Sequence, residues 1–309
     1  MKRVQLTDTI LMIRPANFGF NPETAESNAF QKSSIDNSEA SVEELAKSEF
    51  DLFVNKLRDK GVNVIVVEDT ADPVKPDAVF PNNWISFHQE GTVITYPMLA
   101  PTRRKERRPE LIDELADAFK IESRLDLSSY EDEGKILEGT GSMVFDRVNK
   151  VVYACLSART SNELLDIYCE WMDYEKVVFS AVDEKGKDIY HTNVMMSMGE
   201  EFVVICMDSI KDEIEHHAVR QKFRETGKTI VEITYEQMNK FAGNMLQVTT
   251  KYGHPLLVMS QQAYDSLDNK ALNQLLGFTE ILSSPIDTIE TLGGGSARCM
   301  MAEVFLSRL

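Results

Sequence analysis

The sequence predicts an α/β ring of five strand–strand–helix–strand units, with the two chain ends sharing one unit. Three observations carry this. Two short apolar strands, a helix and a third strand recur in that order along the chain. The anchor residues Asn83, Ser142, Asn193, Asn244 and Ser296 stand at intervals of 59, 51, 51 and 52 residues, and self-similarity at such a period marks a repeat architecture. The fifth copy stops after a single strand, and the segment before residue 70 holds the parts it lacks. A closed ring leaves no sheet edge exposed. It makes one domain over residues 1–309 the expectation, where length alone would allow one or two.

The elements follow in order. Ile10 to Ile13 is an apolar run, expected as a buried strand. Arg14 to Asn37 has no clear period and contains Pro15, Gly19 and Pro22. A connection this long inside a compact domain is usually a functional segment such as a lid, or is disordered. Ser41 with Glu44 forms a capping box. Leu45, Phe50, Phe53, Val54 and Leu57 then recur on one helical face until Gly61, and Val62 to Val67 is a strand. The first repeat has strands Trp84–Gln89 and Thr92–Leu99, a helix from about Arg104 to Phe119, and a strand near Ile121. The second has strands Ser142–Arg147 and Val151–Ser157, a helix from Asn162 to about Tyr174, and a strand Lys176–Val182. The third has Asn193–Met198, Phe202–Met207, a helix over about Ile210–Thr226, and Thr229–Thr234. The fourth has Asn244–Thr249, Pro255–Ser260, a helix Gln261–Leu275, and Glu280–Ser284.

Composition excludes several function classes. Hydrophobic residues make up 43% of the chain and charged residues 27%, as in soluble globular proteins. No apolar run approaches the roughly 18 residues of a membrane span. Met1 to Thr9 lacks the apolar core of a signal peptide, so a cytoplasmic protein is expected. The net charge of −17 repels nucleic acid and anionic membranes. The cysteines Cys155, Cys169, Cys206 and Cys299 lie far apart with no CxxC pair, and are expected as free thiols in a reducing compartment. One basic run, Arg103 to Arg108, interrupts the acidic chain. It is either a solvated helix start or a place to hold a small carboxylate.

A ring brings its unit junctions together at the centre. These junctions are Pro76 to Asn83, Leu137 to Ser142, Tyr190 to Asn193, Phe241 to Asn244, and Gly293 to Cys299. They supply one cysteine, one histidine, two carboxylates and several amides. Gly293-Gly294-Gly295 lets the backbone approach other groups closely, and Cys299 follows in a run to Phe305 that is expected as a terminal strand. Taken alone, Cys299 is as well explained as a buried structural thiol. Facing His191, it becomes a nucleophile with a general acid–base. His88 and His254 lie in strand and turn positions without a partner motif, and His216 and His217 are expected on an exposed helix face. No ligand set with metal spacing is present, and no cofactor is implied.

Taken with the five-fold repeat, six segments in order resemble the pentein, or guanidino-group-modifying, superfamily. They are Pro76-Asp77-Ala78-Val79-Phe80, Arg103-Arg104-Lys105-Glu106, Leu137-Glu138-Gly139, Leu156-Ser157-Ala158-Arg159-Thr160, His191, and Gly293 to Cys299. That superfamily includes arginine deiminases, dimethylarginine dimethylaminohydrolases and amidinotransferases. The chain is most similar to the dimethylarginine hydrolase branch and to hydrolases associated with citrulline use. The resemblance implies a five-bladed α/β propeller around a pseudo-five-fold axis. It implies Cys299 as the nucleophile at a guanidino or ureido carbon, His191 as acid and then base, and Glu138 as the carboxylate that steadies His191 and holds substrate nitrogen. Arg103 and Arg159 would bind the substrate α-carboxylate, a task suited to the planar guanidinium fork, and Asp77 its α-amino group. Asn83 departs from the pattern, standing where these hydrolases usually carry an Asp. An amide offers donor and acceptor, which shifts weight toward citrulline or toward an arginine dihydrolase that proceeds to ornithine. The implied partner is a small amino-acid substrate, and monomer and homodimer both stay open. An amidinotransferase and a non-catalytic pentein binding module are the alternatives. The set Cys299, His191 and Glu138 argues against the module.

Overall fold

The computed structural model describes residues 3–34 and 41–309. The last residues of the long connection Arg14–Asn37, from 35 onward, lie outside the described residues.

The chain forms fifteen described strands in five three-stranded sheets. In chain order they are β1 (Thr9–Arg14), β2 (Asn63–Glu68), β3 (Ile85–Phe87), β4 (Thr92–Thr95), β5 (Ser123–Asp126), β6 (Val144–Asp146), β7 (Val151–Cys155), β8 (Glu175–Phe179), β9 (Met196–Met198), β10 (Phe202–Ile205), β11 (Thr229–Glu232), β12 (Leu246–Thr249), β13 (Pro255–Ser260), β14 (Glu280–Ser284) and β15 (Ala302–Glu303). The sheets are β3-β4-β5, β6-β7-β8, β9-β10-β11, β12-β13-β14 and β15-β1-β2. In each, the first pair is antiparallel and the second parallel. A parallel pair needs a crossover, and helices such as Val42–Asp59, Asn162–Met172 and Glu213–Glu225 supply it. Five like sheets fit the five-unit arrangement read from the repeat. The fifth is built from both ends of the chain, with Ile10 opposite Glu303 and Leu11 opposite Ala302.

Burial grades across each sheet. The middle strands β1, β7 and β10 are wholly or almost wholly buried, whereas the third strands β5, β8 and β11 are largely exposed or half-buried. Helices cover the sheets through apolar stripes: Phe50, Phe53 and Leu57 pack in one core with Ile10, Met12 and Val64. Each such buried side chain contributes on the order of 1.5–3 kcal/mol. The capping box at Ser41 forms, with Ser41 Oγ accepting from Glu44 N at 3.2 Å and Glu44 Oε2 accepting from Ser41 N at 3.1 Å.

Several expected elements shift, each for a local reason. The helix expected over Arg104–Phe119 is two pieces, Pro101–Arg104 and Pro109–Ala116. Pro109 disfavours helix at Arg108 and then starts a new one at its first position. The helix expected over Gln261–Leu275 breaks at Leu267, because Asp268 caps a second helix by accepting from Ala271 N at 2.7 Å. The strand near Ile121 begins only at Ser123, since Phe119 bridges to Arg308 instead. His88 is buried with its Nε2 2.7 Å from Ser86 Oγ, and His216 is half-buried while His217 is exposed.

The anchors do not open the strands. They sit in the single turns that precede them: Asn83 ends the turn Pro81–Asn83, Ser142 ends Gly139–Ser142, and Asn193 lies in Thr192–Met195. These turns touch one another in sequence. Thr140 Oγ1 donates to Asn82 O at 3.1 Å, Thr192 Oγ1 to Ser142 O at 2.6 Å, and Asn244 Nδ2 to Asn193 O at 2.9 Å. Arg298 N donates to Asn244 Oδ1 at 3.0 Å. The last turn meets the first, since a Cβ on Gly293 would lie 2.7 Å from the Phe80 ring. Among the described residues, no helix is long and apolar enough to cross a membrane.

Candidate active site

The turn carrying Cys299 follows a helix, Asp287–Gly293, that the sequence did not predict. Gly294 leaves that helix at φ +63, a left-handed conformation suited to glycine. Cys299 N, Met300 N and Met301 N then donate to Ser296 O, Ala297 O and Arg298 O. Those donors are spent in turns and cannot join a ladder, so the expected strand from Cys299 to Phe305 shrinks to β15 and Cys299 precedes it. Glu290 fixes the turn from the helix: Glu290 Oε1 accepts from Ser296 Oγ at 2.5 Å and Oε2 from Gln262 Nε2 at 2.9 Å.

Cys299 is buried, and its Sγ accepts from Asn244 Nδ2 at 3.2 Å and from Asn193 Nδ2 at 3.5 Å. Two amide donors aimed at one sulfur favour negative charge developing on it. Asn193 and Asn244 were legible as repeat anchors, though not as neighbours of the sulfur.

His191 and Glu138 form a buried pair, with Nε2 2.7 Å from Glu138 Oε2. Glu138 Oε1 accepts from Leu99 N at 3.0 Å, and Oε2 lies 3.4 Å from Arg159 Nη1 and 4.0 Å from Arg103 Nη1. Burial alone would raise the Glu138 carboxyl. The Arg159 charge, the His191 hydrogen bond and the Arg103 charge outweigh burial and hold it well below the usual carboxylate range. His191 is pushed down to about 4, chiefly by burial, with Glu138 opposing and the two guanidiniums adding. The resting imidazole is therefore neutral at pH 7, with Nε2–H donating to the Glu138 carboxylate.

The two arginines are both buried and both engaged. Arg103 makes a two-pronged pair with Glu106, Nε to Oε1 and Nη2 to Oε2, each at 2.9 Å. Its Nη1 donates to Asn83 Oδ1 at 2.8 Å. Arg159 donates from Nη2 to Ser27 Oγ at 2.6 Å and to Thr24 O at 3.1 Å, and its guanidinium lies 4.9 Å from the Tyr190 ring. Neither fork is open to a carboxylate as the sequence reading expects, because Glu106 and the 14–34 segment occupy them. That segment is strapped down elsewhere too: Asn21 Nδ2 donates to Asp77 Oδ2 at 2.7 Å, and Asn28 Nδ2 to Gly294 O at 3.1 Å. The basic run is thus mostly paired, with Arg104 and Arg107 on Glu131.

Asp77, Asn83, Arg103, Arg159, His191 and Cys299 all line one small cavity. Glu138 stands directly behind His191. Thr24, Asn28, Phe80 and Tyr190 also line the cavity. Phe80, Tyr190 and Glu106 lay in segments already singled out, whereas Thr24, Ser27 and Asn28 were marked only as part of the long connection Arg14–Asn37. Two buried polar atoms among the lining residues have no hydrogen-bond partner, Asp77 Oδ1 and Asn83 Nδ2. The Asn83 orientation follows from chemistry: Arg103 can only donate, so Asn83 turns its oxygen to it and leaves its NH₂ over. Burial raises Asp77 against the pull of Arg103. Among the described residues, no cluster of three or more His, Cys, Asp or Glu could hold a metal ion.

A mixed α/β fold of five small sheets, with a buried thiol, an imidazole–carboxylate pair and two arginines at one cavity, is that of a pentein-superfamily protein. The sequence model of the family described as N,N dimethylarginine dimethylhydrolase, eukaryotic, matches residues 14–306, and the chain belongs to that family. No curated protein sequence matches it. Among solved structures, the N-terminal domain of ArgZ, an arginine dihydrolase from cyanobacteria, is similar at 17% identity and a TM-score of 0.75, over 96% of this chain and 97% of that one. Apo ArgZ is similar at 16% identity and a TM-score of 0.74 over 96% of this chain, which spans 40% of the larger protein. A dimethylarginine dimethylaminohydrolase, as an adduct with S-methyl-L-thiocitrulline, is similar at 15% identity and a TM-score of 0.64, over 97% of this chain and 100% of that one. At such identities these likenesses establish the fold.

Proposed function

We propose that this protein is a cysteine hydrolase that cleaves a C–N bond at the guanidino carbon of an arginine-type amino acid and continues at the ureido carbon. It would be an arginine dihydrolase in reaction type. The observation that carries the reading is the unpartnered Asn83 Nδ2 in the same cavity as Cys299. A guanidinium has only N–H donors to offer, so this second donor has no use for it. A ureido group carries a carbonyl oxygen, which accepts from it. Asp77 Oδ1, an unpartnered acceptor, suits the α-amino group of the same substrate. With Arg103 and Glu106 counted as a neutral pair, Asp77 and Glu138 face Arg159 alone. That excess of negative charge favours a cationic amino acid such as arginine in the first step.

In this reading Cys299 Sγ attacks the planar carbon and its proton passes to His191. Because the resting His191 is neutral, the proton given to the departing amine must arrive during the reaction, and the thiol holds it. Glu138 stabilises the imidazolium that forms. The amine leaves with that proton, a carbon–sulfur bond remains, and water activated by His191 displaces the sulfur, which regains its proton. Ammonia departs in the first round and the ornithine amine in the second, whose carbon leaves as carbamate. Arg159 would take the substrate carboxylate once Ser27 and Thr24 release its fork. We also infer that residues 1–309 form a single domain, with the five sheets arranged as propeller blades around a pseudo-five-fold axis. The contact of each junction turn with the next, and of the last with the first, supports this.

The test is product analysis with arginine, methylarginines and citrulline. Release of ornithine from both arginine and citrulline is expected. Turnover of arginine that stops at citrulline, with no activity on added citrulline, would overturn the dihydrolase reading while leaving a deiminase.

A further inference from the structure

A second small cavity is lined by Asn193 and Arg298 of the junction turns together with residues of β6, β9, β12 and β15. Asn193 separates the two cavities: it lines this one while its Nδ2 faces the sulfur. The charged side chains lining this cavity are Arg147, Arg298 and Glu303. All three are nearly buried, with side-chain exposures of 7%, 8% and 9%. Both guanidiniums converge on one atom: Arg298 Nη2 lies 2.9 Å and Arg147 Nη2 3.5 Å from Glu303 Oε2. Two cations share one anion, so one positive charge is left over in a buried place. Buried charges are normally paired, and an unpaired one is costly.

The geometry favours capture of an anion over simple repulsion. The Arg147 guanidinium is held beside two rings, 4.1 Å from the centroid of Phe305 and 5.0 Å from that of Phe145, so it is preorganised. Arg298 is anchored by Nη1 donating to Met301 O at 2.8 Å. Ser197 Oγ, buried and without a partner, lines the same cavity and can donate a third hydrogen bond. Gln5 is already spent, donating to Phe145 O and accepting from Arg147 N.

We propose that this cavity binds a small oxyanion, of the phosphate or carboxylate type, between Arg147, Arg298 and Ser197. It is separate from the substrate cavity, and nothing in the hydrolase reading uses it. The test is thermal unfolding of the full chain in rising inorganic phosphate, and separately in acetate, with ionic strength held constant by chloride. In wild type the unfolding midpoint should rise and saturate with at least one of the two probes, and which one does so identifies the oxyanion type. R147Q should weaken the apparent affinity by about tenfold or more, as expected for loss of a charge-assisted contact. E303Q, which removes the competing anion, should tighten it. S197A removes only a hydroxyl, so it tests the site in a chain certain to be folded enough to assay, and should weaken affinity several-fold. Absence of a saturable rise with either probe overturns the proposal. So does a rise of equal affinity in wild type, R147Q and S197A, which would locate the anion elsewhere, for instance at Arg159.

Discussion

Replacing Asn83 by Asp separates the two chemical steps assigned to the cavity. The change is nearly isosteric and exchanges the Nδ2 amide for a second carboxylate oxygen. Arg103 keeps its acceptor, now charged, so the packing around the turn Pro81–Asn83 should hold. A guanidinium meeting N83D gains an anionic partner, and deimination of arginine should survive. A ureido carbonyl loses its donor and faces an acceptor. Leaving a buried acceptor unsatisfied costs about 1–3 kcal/mol, which corresponds to roughly 5- to 150-fold in kcat/KM for citrulline. N83D should therefore accumulate citrulline from arginine where wild type should form ornithine. Chromatographic quantification of arginine, citrulline, ornithine and ammonia over time reads both steps in one reaction. If N83D converts citrulline to ornithine with the wild-type kcat/KM, the donor has no part in the second step and the reasoning fails.

Four further outcomes follow from the geometry. C299S should lower turnover by about 10³-fold or more, and mass spectrometry of trapped wild type should show an adduct on the Cys299 peptide that C299S lacks. E138Q should lower kcat by roughly 10²- to 10⁴-fold with a smaller change in KM, because the imidazolium loses its carboxylate; an unchanged pH–rate profile would count against that role. A Cβ at Gly141 would lie 2.4 Å from Asn83 Nδ2 and 2.7 Å from His191 Nδ1, so G141A should abolish activity and cost about 1–3 kcal/mol in a denaturant melt. Burial raises Glu290 from 4.5 to about 7. Its protonated form is the one folding favours, so that stability is full below pH 4.5 and lost as pH rises through 7. Relative to E290Q, wild type should lose up to about 3 kcal/mol over that window, and equal urea midpoints for both proteins at pH 5 and pH 8 would refute it.

The repeat was legible because each unit hides a largely apolar middle strand, such as Val151–Cys155, between punctuating turns. That periodic burial survives in the sequence whatever the neighbours do. It also placed Cys299, His191, Asp77 and Asn83 near one another at the unit junctions, whereas Arg103 and Arg159 came to the site only through the family resemblance. What escaped reading depends on partners remote in sequence. Glu106 was marked only as part of a basic run, and nothing there foretold its buried pair with Arg103. Ser27 and Asn28 sit in a stretch with no period, and only their bonds to Arg159 and Gly294 give them a place. The helix Asp287–Gly293 is too short to show an amphipathic pattern. Asn193 and Asn244 were marked by spacing alone, and spacing does not say that both amides turn to the sulfur.

Because β15 pairs with β1, the sheet next to the sulfur is assembled from segments far apart in the sequence. During synthesis His191 and Glu138 emerge before Cys299 and its supporting strand. A chain cut before residue 299 would lose the sulfur and leave one edge of β1 unpaired. The placement of the sulfur therefore depends on the same pairing that closes the fifth sheet.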